Sequence, residues 1–378
     1  MRGAVIHAPG DIRFETVEDA KILKPTDAVI RTAVTCVCGS DLWPYRGAEP
    51  TGQAHPMGHE YVGFVEEVGS EVTSVRPGQF VVGSFATSDN TCANCRNGFQ
   101  SNCLNREFMS TCQAEYVRIP NAQGTLVATD DVPGEEFWPG LLAVSDVMGT
   151  GWWAADAAEV RPGSTAVVVG DGAVGLCGVI AAKEMGAERI IAMSRHEPRQ
   201  KLAREFGATD IVTERGEEGV ARIKEMTDGI GADSVLECVG TAQAMSQALH
   251  SARPGGNVGF VGVPHEVAVD GQELFFSHVG LRGGPAPVRR YLPDLMDRVL
   301  TRRIDPGKVF DLTLPLDQVA EGYRAMDERR AVKTLLKPCH PGHRLIPGRE
   351  CSRFMGRGDL TSTSSMNSVR DTRPEGSP

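Results

Sequence analysis

Gly170-Asp171-Gly172-Ala173-Val174-Gly175 is a G-x-G-x-x-G string, the pattern with which a strand-to-helix turn cradles a pyrophosphate. In such a turn Gly170 permits the tight reversal, Gly172 lets a phosphate approach the backbone, and Gly175 allows close helix–strand packing. A helix opening at Ala173 and Val174 adds unpaired N–H groups and the positive end of its dipole. The string is weak on its own, so its context decides: it has to follow a buried strand and start a helix. A second constellation is Cys92-x2-Cys95-x7-Cys103, at spacings suited to metal ligands. The chain holds ten cysteines. In a long chain whose N-terminus runs straight into strand-like sequence, they read as metal ligands or small buried residues, not as a secreted disulfide framework.

The elements that must position these residues differ along the chain. Up to about residue 148, short β-like runs such as Ala28–Val34 and Glu60–Val68 are broken by Gly and Pro, which reads as a loop-rich, mostly antiparallel domain. From about Thr150 to Gly283, strands alternate with helices, which predicts a parallel sheet. Thr165–Val169 is a continuous apolar strand, and Val174–Met185 the helix after it. Both context tests for the glycine string are thereby met. Arg189–Met193, Asp210–Thr213, Asp233–Cys238 and Asn257–Val263 read as further strands. Pro198–Phe206, Glu217–Met226 and Ala242–Ala252 read as helices. Arg289–Arg302 and Asp317–Asp327 are expected to be amphipathic helices and Val332–Leu336 a closing strand that can return to the first domain. From Pro338 the composition turns Gly-, Pro-, Ser- and Arg-rich, so residues 338–378 read as a disordered tail.

Cofactor choice is read at the end of the second strand of the parallel sheet. An NAD site wants a carboxylate there for the ribose 2′-OH. Met193-Ser194-Arg195-His196 has none until Glu197, and a hydroxyl beside a guanidinium suits a 2′-phosphate. The sequence favours NADP over NAD, with Ser194 and Arg195 as contacts and Arg199 assisting. A surface Ser-Arg that touches nothing would leave NAD in use.

Gly58-His59-Glu60-Tyr61-Val62-Gly63, continuing to Gly69 and Val72, resembles the signature of the zinc-containing alcohol dehydrogenases, of the medium-chain dehydrogenase/reductase superfamily. Cys36-Val37-Cys38-Gly39-Ser40-Asp41 resembles that family's first-ligand segment, and the likeness spans about residues 1–337. The resemblance implies an α/β Rossmann coenzyme domain at 150–283. It also implies a mostly-β, GroES-like catalytic domain made of 1–149 and 284–337. By the family's pattern Cys38, His59 and Asp146 hold a catalytic zinc, with Glu60 as an exchangeable fourth ligand or a support behind it. Three protein ligands and an open position are the general form of such a centre, of which alcohol dehydrogenases are themselves an example. Asp146 stands where many relatives have Cys, which makes the site more oxygen-rich yet still suited to zinc. Ser40 matches the hydroxyl that leads the alcohol proton towards solvent. Many relatives end that relay on a His where this chain has Trp43, so the relay ends in water or at His55.

Cys92, Cys95 and Cys103 match the last three positions of the family's structural zinc lobe, and Asp89 stands where the first Cys would be. An Asp89-Cys92-Cys95-Cys103 zinc site is favoured over a lobe that has lost its metal, with Cys112 as a rival fourth ligand. Trp43, Trp152 and Trp153 are candidates for an apolar substrate pocket, with core packing the competing role.

A formaldehyde dehydrogenase or aldehyde dismutase on the same scaffold shares the ligand pattern. A non-catalytic nucleotide- or RNA-binding relative is opposed by the formal net charge of -10, which gives no basic footprint, and a zinc-free reductase by the complete ligand set. The longest apolar stretch, around Ala166–Ala182, is broken by Asp171 and its glycines, so no membrane span is expected. The expected setting is cytoplasmic, with a small alcohol, aldehyde or ketone as partner and no nucleic acid or membrane. Gly280–Gly284 resembles the region where relatives pair, which implies a homodimer or homotetramer.

Overall fold

The computed structural model of the chain describes residues 1–48 and 52–339; the tail expectation for 340–378 lies outside the described residues. Near the N-terminus, Arg2–Ala8 pairs antiparallel with Asp11–Thr16 on one side and with His55–Pro56 on the other. The larger β unit is a seven-stranded sheet. Its hub is Ala28–Val37, buried at nearly every position because strands and helices cover both of its faces. Tyr61–Val68 and Tyr116–Ile119 pair with it antiparallel, and so does Lys333–Lys337 from the far end of the chain. That last pairing sets Leu335 opposite Cys36, so the C-terminal strand reaches the neighbourhood of Cys38.

The remaining sheet has six strands, all parallel. Numbered within that sheet, their spatial order is 3-2-1-4-5-6, from Asp210–Val212 through Arg189–Met193, Thr165–Val169, Ala232–Glu237 and Ala252–Phe260 to Gly280–Gly283. This is the doubly wound order in which ligands bind at the carboxyl ends of the strands, at the point where the strand order reverses. Thr165–Val169 is central, with Ala166 to Val169 buried, and Gly170 follows at its carboxyl end.

Most expected elements are present within one or two residues, and three departures have physical causes. Trp138–Val144 is a helix in a region expected to be β-rich, and Val147–Ala157 is a helix ahead of the first element expected in the alternating region. Their side chains are buried almost all round, so no polar face gives a 3.6-residue period to read. The expected division at 149/150 falls inside the second of these helices. The strand expected at Asn257–Val263 runs Ala252–Phe260 instead. Its pairing jumps from Ala252 to Asn257, so Pro254-Gly255-Gly256 reads as a turn while lying inside the strand. Gly271–Ser277 is a further helix, capped by the Asp270 side chain on the Gln272 N–H at 2.8 Å. Among the described residues no helix is long and apolar enough to cross a membrane.

Candidate active site

The glycine turn fits a dinucleotide. A Cβ on Gly172 would meet nothing within 4 Å, which leaves that face open, whereas one on Gly175 would strike the Gly170 carbonyl at 2.0 Å. Gly172 is the N-cap of Ala173–Glu184, so the first N–H groups of this helix lack helical partners. At the end of the next strand Ser194 is buried, and its hydroxyl donates to Asp171 Oδ2 at 2.8 Å. Arg195 is exposed, with Nε donating to the Thr213 carbonyl at 3.3 Å.

Three loops bring the other residues together. Cys38 leaves the hub strand in a turn closed by the Asp41 N–H on the Cys38 carbonyl at 3.2 Å, while the Cys38 N–H donates to Asp41 Oδ2 at 2.9 Å. His59 follows Gly58, whose φ of +94° is natural only for glycine, and a Cβ there would strike Gln113 Cγ at 2.5 Å. Asp146 sits between the two buried helices, as N-cap residue of Val147–Ala157, and accepts the Thr150 hydroxyl at 2.8 Å on Oδ1.

The ligating atoms converge. Cys38 Sγ lies 3.7 Å from Asp146 Oδ2, and His59 Nε2 lies 3.2 Å from the same oxygen. Ligands on one tetrahedral zinc with bonds of about 2.0–2.3 Å stand roughly 3.3–3.8 Å apart. With Glu60, whose Oε1 is 4.0 Å from His59 Nε2, one atom from each of the four residues falls within 4.8 Å of every other. The residues present fit a divalent ion. Glu60 Oε2 is buried without a hydrogen-bond partner, as an oxygen that can turn to a metal would be.

The support around these residues was not legible in the sequence. His59 Nδ1 faces Asp41 Oδ1 at 3.3 Å, which leaves Nε2 for the metal position. Gln113 Nε2 donates to Asp41 Oδ2 and to the Cys36 carbonyl, both at 3.0 Å, and Gln113 Oε1 accepts the Tyr323 hydroxyl at 3.0 Å. Lys333, fully buried, donates to Glu60 Oε1 at 2.6 Å and to the Val37 carbonyl at 3.3 Å. A lysine at a fully buried position of the closing strand is this partner, and only its place beside the apolar Leu335 and Leu336 hinted at it in the sequence.

Ser40 is half-buried on the turn between Cys38 and the Leu42–Tyr45 helix. Trp43 in that helix packs its ring on His265, with centroids 3.7 Å apart. The His55 ring is engaged by the Gln53 carbonyl at 3.0 Å. Phe85 meets the His59 ring edge-on at 6.3 Å and stacks on the exposed Phe108, a second pair the sequence reading missed. Trp152 and Trp153 are core residues, Trp153 packing edge-on against Phe99.

Asp89, Cys92, Cys95 and Cys103 form a second group with metal-ligand separations. Cys92 Sγ is 3.5 Å from Cys95 Sγ and 3.9 Å from Cys103 Sγ, and Cys95 Sγ is 3.5 Å from Asp89 Oδ1. Main-chain N–H groups of Asp89 and Asn105 donate to Cys103 Sγ, both at 3.4 Å. N–H groups of Leu104 and Cys95 bring the Cys92 thiol down to about 7, near the thiolate form a metal takes. Cys112 is buried in the cluster around Tyr61 and Val117 and is not a member of this group.

Burial opposes a charge on His59, but Asp41 and Cys38 outweigh it and raise its pKa well above 6.5. Burial also raises the Cys38 thiol. A metal needs neutral imidazole and thiolate, so binding at neutral pH releases about two protons per ion. Because the His59 pKa is raised, proton competition persists above 6.5 and affinity falls as pH drops. Zinc titration calorimetry in buffers of different ionisation enthalpy reads this release. His59→Ala protein, which keeps the lobe, supplies the background, and equal proton release from both proteins contradicts the assignment.

Residues 24–131 match the family described as the alcohol dehydrogenase GroES-like domain, and residues 173–300 match the zinc-binding dehydrogenase family. The zinc-type alcohol dehydrogenase B of Aspergillus flavus is 35% identical over 350 residues, covering 89% of this chain and 81% of that protein. The chain belongs to the zinc-type alcohol dehydrogenase family. An NADP-dependent isopropanol dehydrogenase of Clostridium beijerinckii is 31% identical over 298 residues, covering 75% of this chain and 84% of its own length. The solved alcohol dehydrogenase of Thermus sp. ATN1 superposes with a TM-score of 0.82 at 30% identity, covering 89% of this chain and all of that one. The zinc-type dehydrogenase fold thus combines the expected GroES-like β unit with the Rossmann sheet, in an oxidoreductase family that acts on small molecules.

Proposed function

We propose that this zinc-type dehydrogenase is a zinc-dependent enzyme moving a hydride between NADP, in preference to NAD, and an alcohol/carbonyl pair. The observation that carries the reading is the convergence of Cys38 Sγ, His59 Nε2 and Asp146 Oδ2 at separations one tetrahedral ion would span. When bound, zinc supplies Lewis acidity that lowers the pKa of an alcohol oxygen, and the nicotinamide supplies the hydride acceptor.

The chain's own residues do the rest. Asp41 orients the His59 ring through Nδ1, Thr150 holds Asp146, and Lys333 balances the charge of Glu60. Ser40 takes the alcohol proton and passes it to water, since Trp43, packed on His265, stands in place of the usual histidine. Phe85, edge-on to the His59 ring and backed by Phe108, gives the site an apolar side, which favours alcohols with an apolar substituent. The isopropanol relative supports the same substrate class and the NADP preference. The relatives named above are alcohol dehydrogenases, which favours this reading over an aldehyde dismutase or a non-catalytic binder.

In this reading the catalytic domain is about 1–149 with 284–337 and the coenzyme domain about 150–283, the Val147–Ala157 helix crossing from one to the other and the active cleft lying between them. Asp89, Cys92, Cys95 and Cys103 hold a structural zinc that stabilises their lobe. The edge strand Gly280–Gly283, with Phe275 and Phe276 exposed on the helix before it, supports a homo-oligomer, which light scattering reads directly. A cytoplasmic setting belongs to the same reading.

The test is a screen of alcohols with NADP and NAD in parallel, following the reduced nicotinamide. Arg195→Ala is expected to weaken NADP about tenfold or more while changing NAD less than about threefold. Equal losses for both cofactors contradict the NADP assignment, and no turnover on any alcohol with either cofactor contradicts the activity.

A further inference from the structure

Asp171 is the second residue of the glycine turn, where the G-x-G-x-x-G pattern asks for no acid. Its carboxylate is tied at both oxygens. Oδ2 accepts the Ser194 hydroxyl proton at 2.8 Å, and Oδ1 lies 3.3 Å from Arg199 Nη1, which also reaches the Asp171 carbonyl at 3.4 Å. The side chains of Asp171 and Arg199 are 11% and 14% exposed, and Ser194 is buried, so this is a sheltered cluster and not a passing surface contact. It joins the glycine turn, the end of the second strand of the parallel sheet and the Glu197–Phe206 helix. In a Rossmann sheet the adenosine ribose lies at that junction.

A hydroxyl has one proton to donate. While Ser194 gives that proton to Asp171, a 2′-phosphate, which only accepts, gains nothing from it. The same phosphate also meets a resident negative charge. A ribose 2′-OH is itself a donor and can give its proton to a carboxylate, so Asp171 can serve as the acid that is missing from the end of the second strand. Arg195 is the guanidinium outside the cluster.

We propose that Asp171 is a cofactor-selecting residue: it holds the single proton of Ser194 and one edge of Arg199, and so restrains the preference for NADP over NAD. The inference rests on the NADP reading above for its starting point, but the change it predicts is independent of which cofactor the wild type prefers. Asp171 acts on the balance between the two cofactors and takes no part in hydride transfer.

Titration calorimetry of NADP+ and of NAD+ into the purified full chain tests this without turnover. Asp171→Asn is expected to raise the NADP+ to NAD+ affinity ratio by about tenfold or more. Arg199→Met, which leaves Asp171 without its counter-charge, is expected to lower the ratio by a similar factor. A ratio in Asp171→Asn that falls, or stays within about twofold of wild type, overturns the proposal. Should Asp171→Asn not fold, Asp171→Ser, which also removes the charge, is read in the same way, and a ratio that falls or stays unchanged overturns it. A wild type that binds NAD+ more tightly defeats the earlier cofactor reading, while the change on Asp171→Asn still decides this one.

Discussion

Cys38→Ser is expected to lower kcat/KM for alcohol oxidation by about a thousandfold or more, with the fold intact. Cys38 is the sulfur ligand of the proposed centre, 3.7 Å from Asp146 Oδ2 and buried. A hydroxyl in its place is a poor zinc ligand at neutral pH, so two protein ligands remain where three are needed. Losing roughly 4 kcal/mol of transition-state stabilisation accounts for a thousandfold rate loss, within the range a Lewis acid supplies. Two readouts accompany the rate. Zinc content falls by one ion per chain while the Asp89–Cys103 lobe keeps its own, and far-ultraviolet circular dichroism is unchanged. Activity within about threefold of wild type would sink the ligand role of Cys38.

Lys333→Met is expected to lower Tm by on the order of 5–10 °C, and adding Glu60→Gln is expected to recover most of that loss. The pair is fully buried, with exposures of 0% and 1%. Removing one member leaves an unbalanced charge in a low-dielectric interior, which costs about 3–5 kcal/mol, whereas neutralising both members does not. Lys333 also anchors the closing strand to the hub strand through the Val37 carbonyl at 3.3 Å, so part of the loss persists in the double variant. Scanning calorimetry on Lys333→Met, Glu60→Gln and the double variant measures the coupling. A Lys333→Met protein that melts within about 1 °C of wild type contradicts the pairing.

The sequence carried the parts of this site that depend on local pattern. The glycine turn was legible because its strand and helix flank it with the right apolar run and caps. Cys38, His59 and Asp146 were placed through resemblance, and the structure brings them together from three separate loops. What stayed hidden is long-range: Gln113 bridging Asp41 to Tyr323, and Lys333 reaching Glu60 across a sequence separation of 273. No local period reports a contact of that kind. The Trp138–Val144 and Val147–Ala157 helices were hidden for the opposite reason, since burial all round erases the polar stripe by which a helix is recognised. The Ser194 hydroxyl was expected to face a cofactor, and its engagement by Asp171 depends on how a turn and a strand end meet in space.

A zinc-edge anomalous difference map from crystals of active protein measures the central claim directly. The expected peak lies among Cys38 Sγ, His59 Nε2 and Asp146 Oδ2, at about 2.3 Å from the sulfur and about 2.0–2.2 Å from the nitrogen and oxygen. No peak there, in crystals whose dissolved protein oxidises alcohols at the full solution rate, contradicts it.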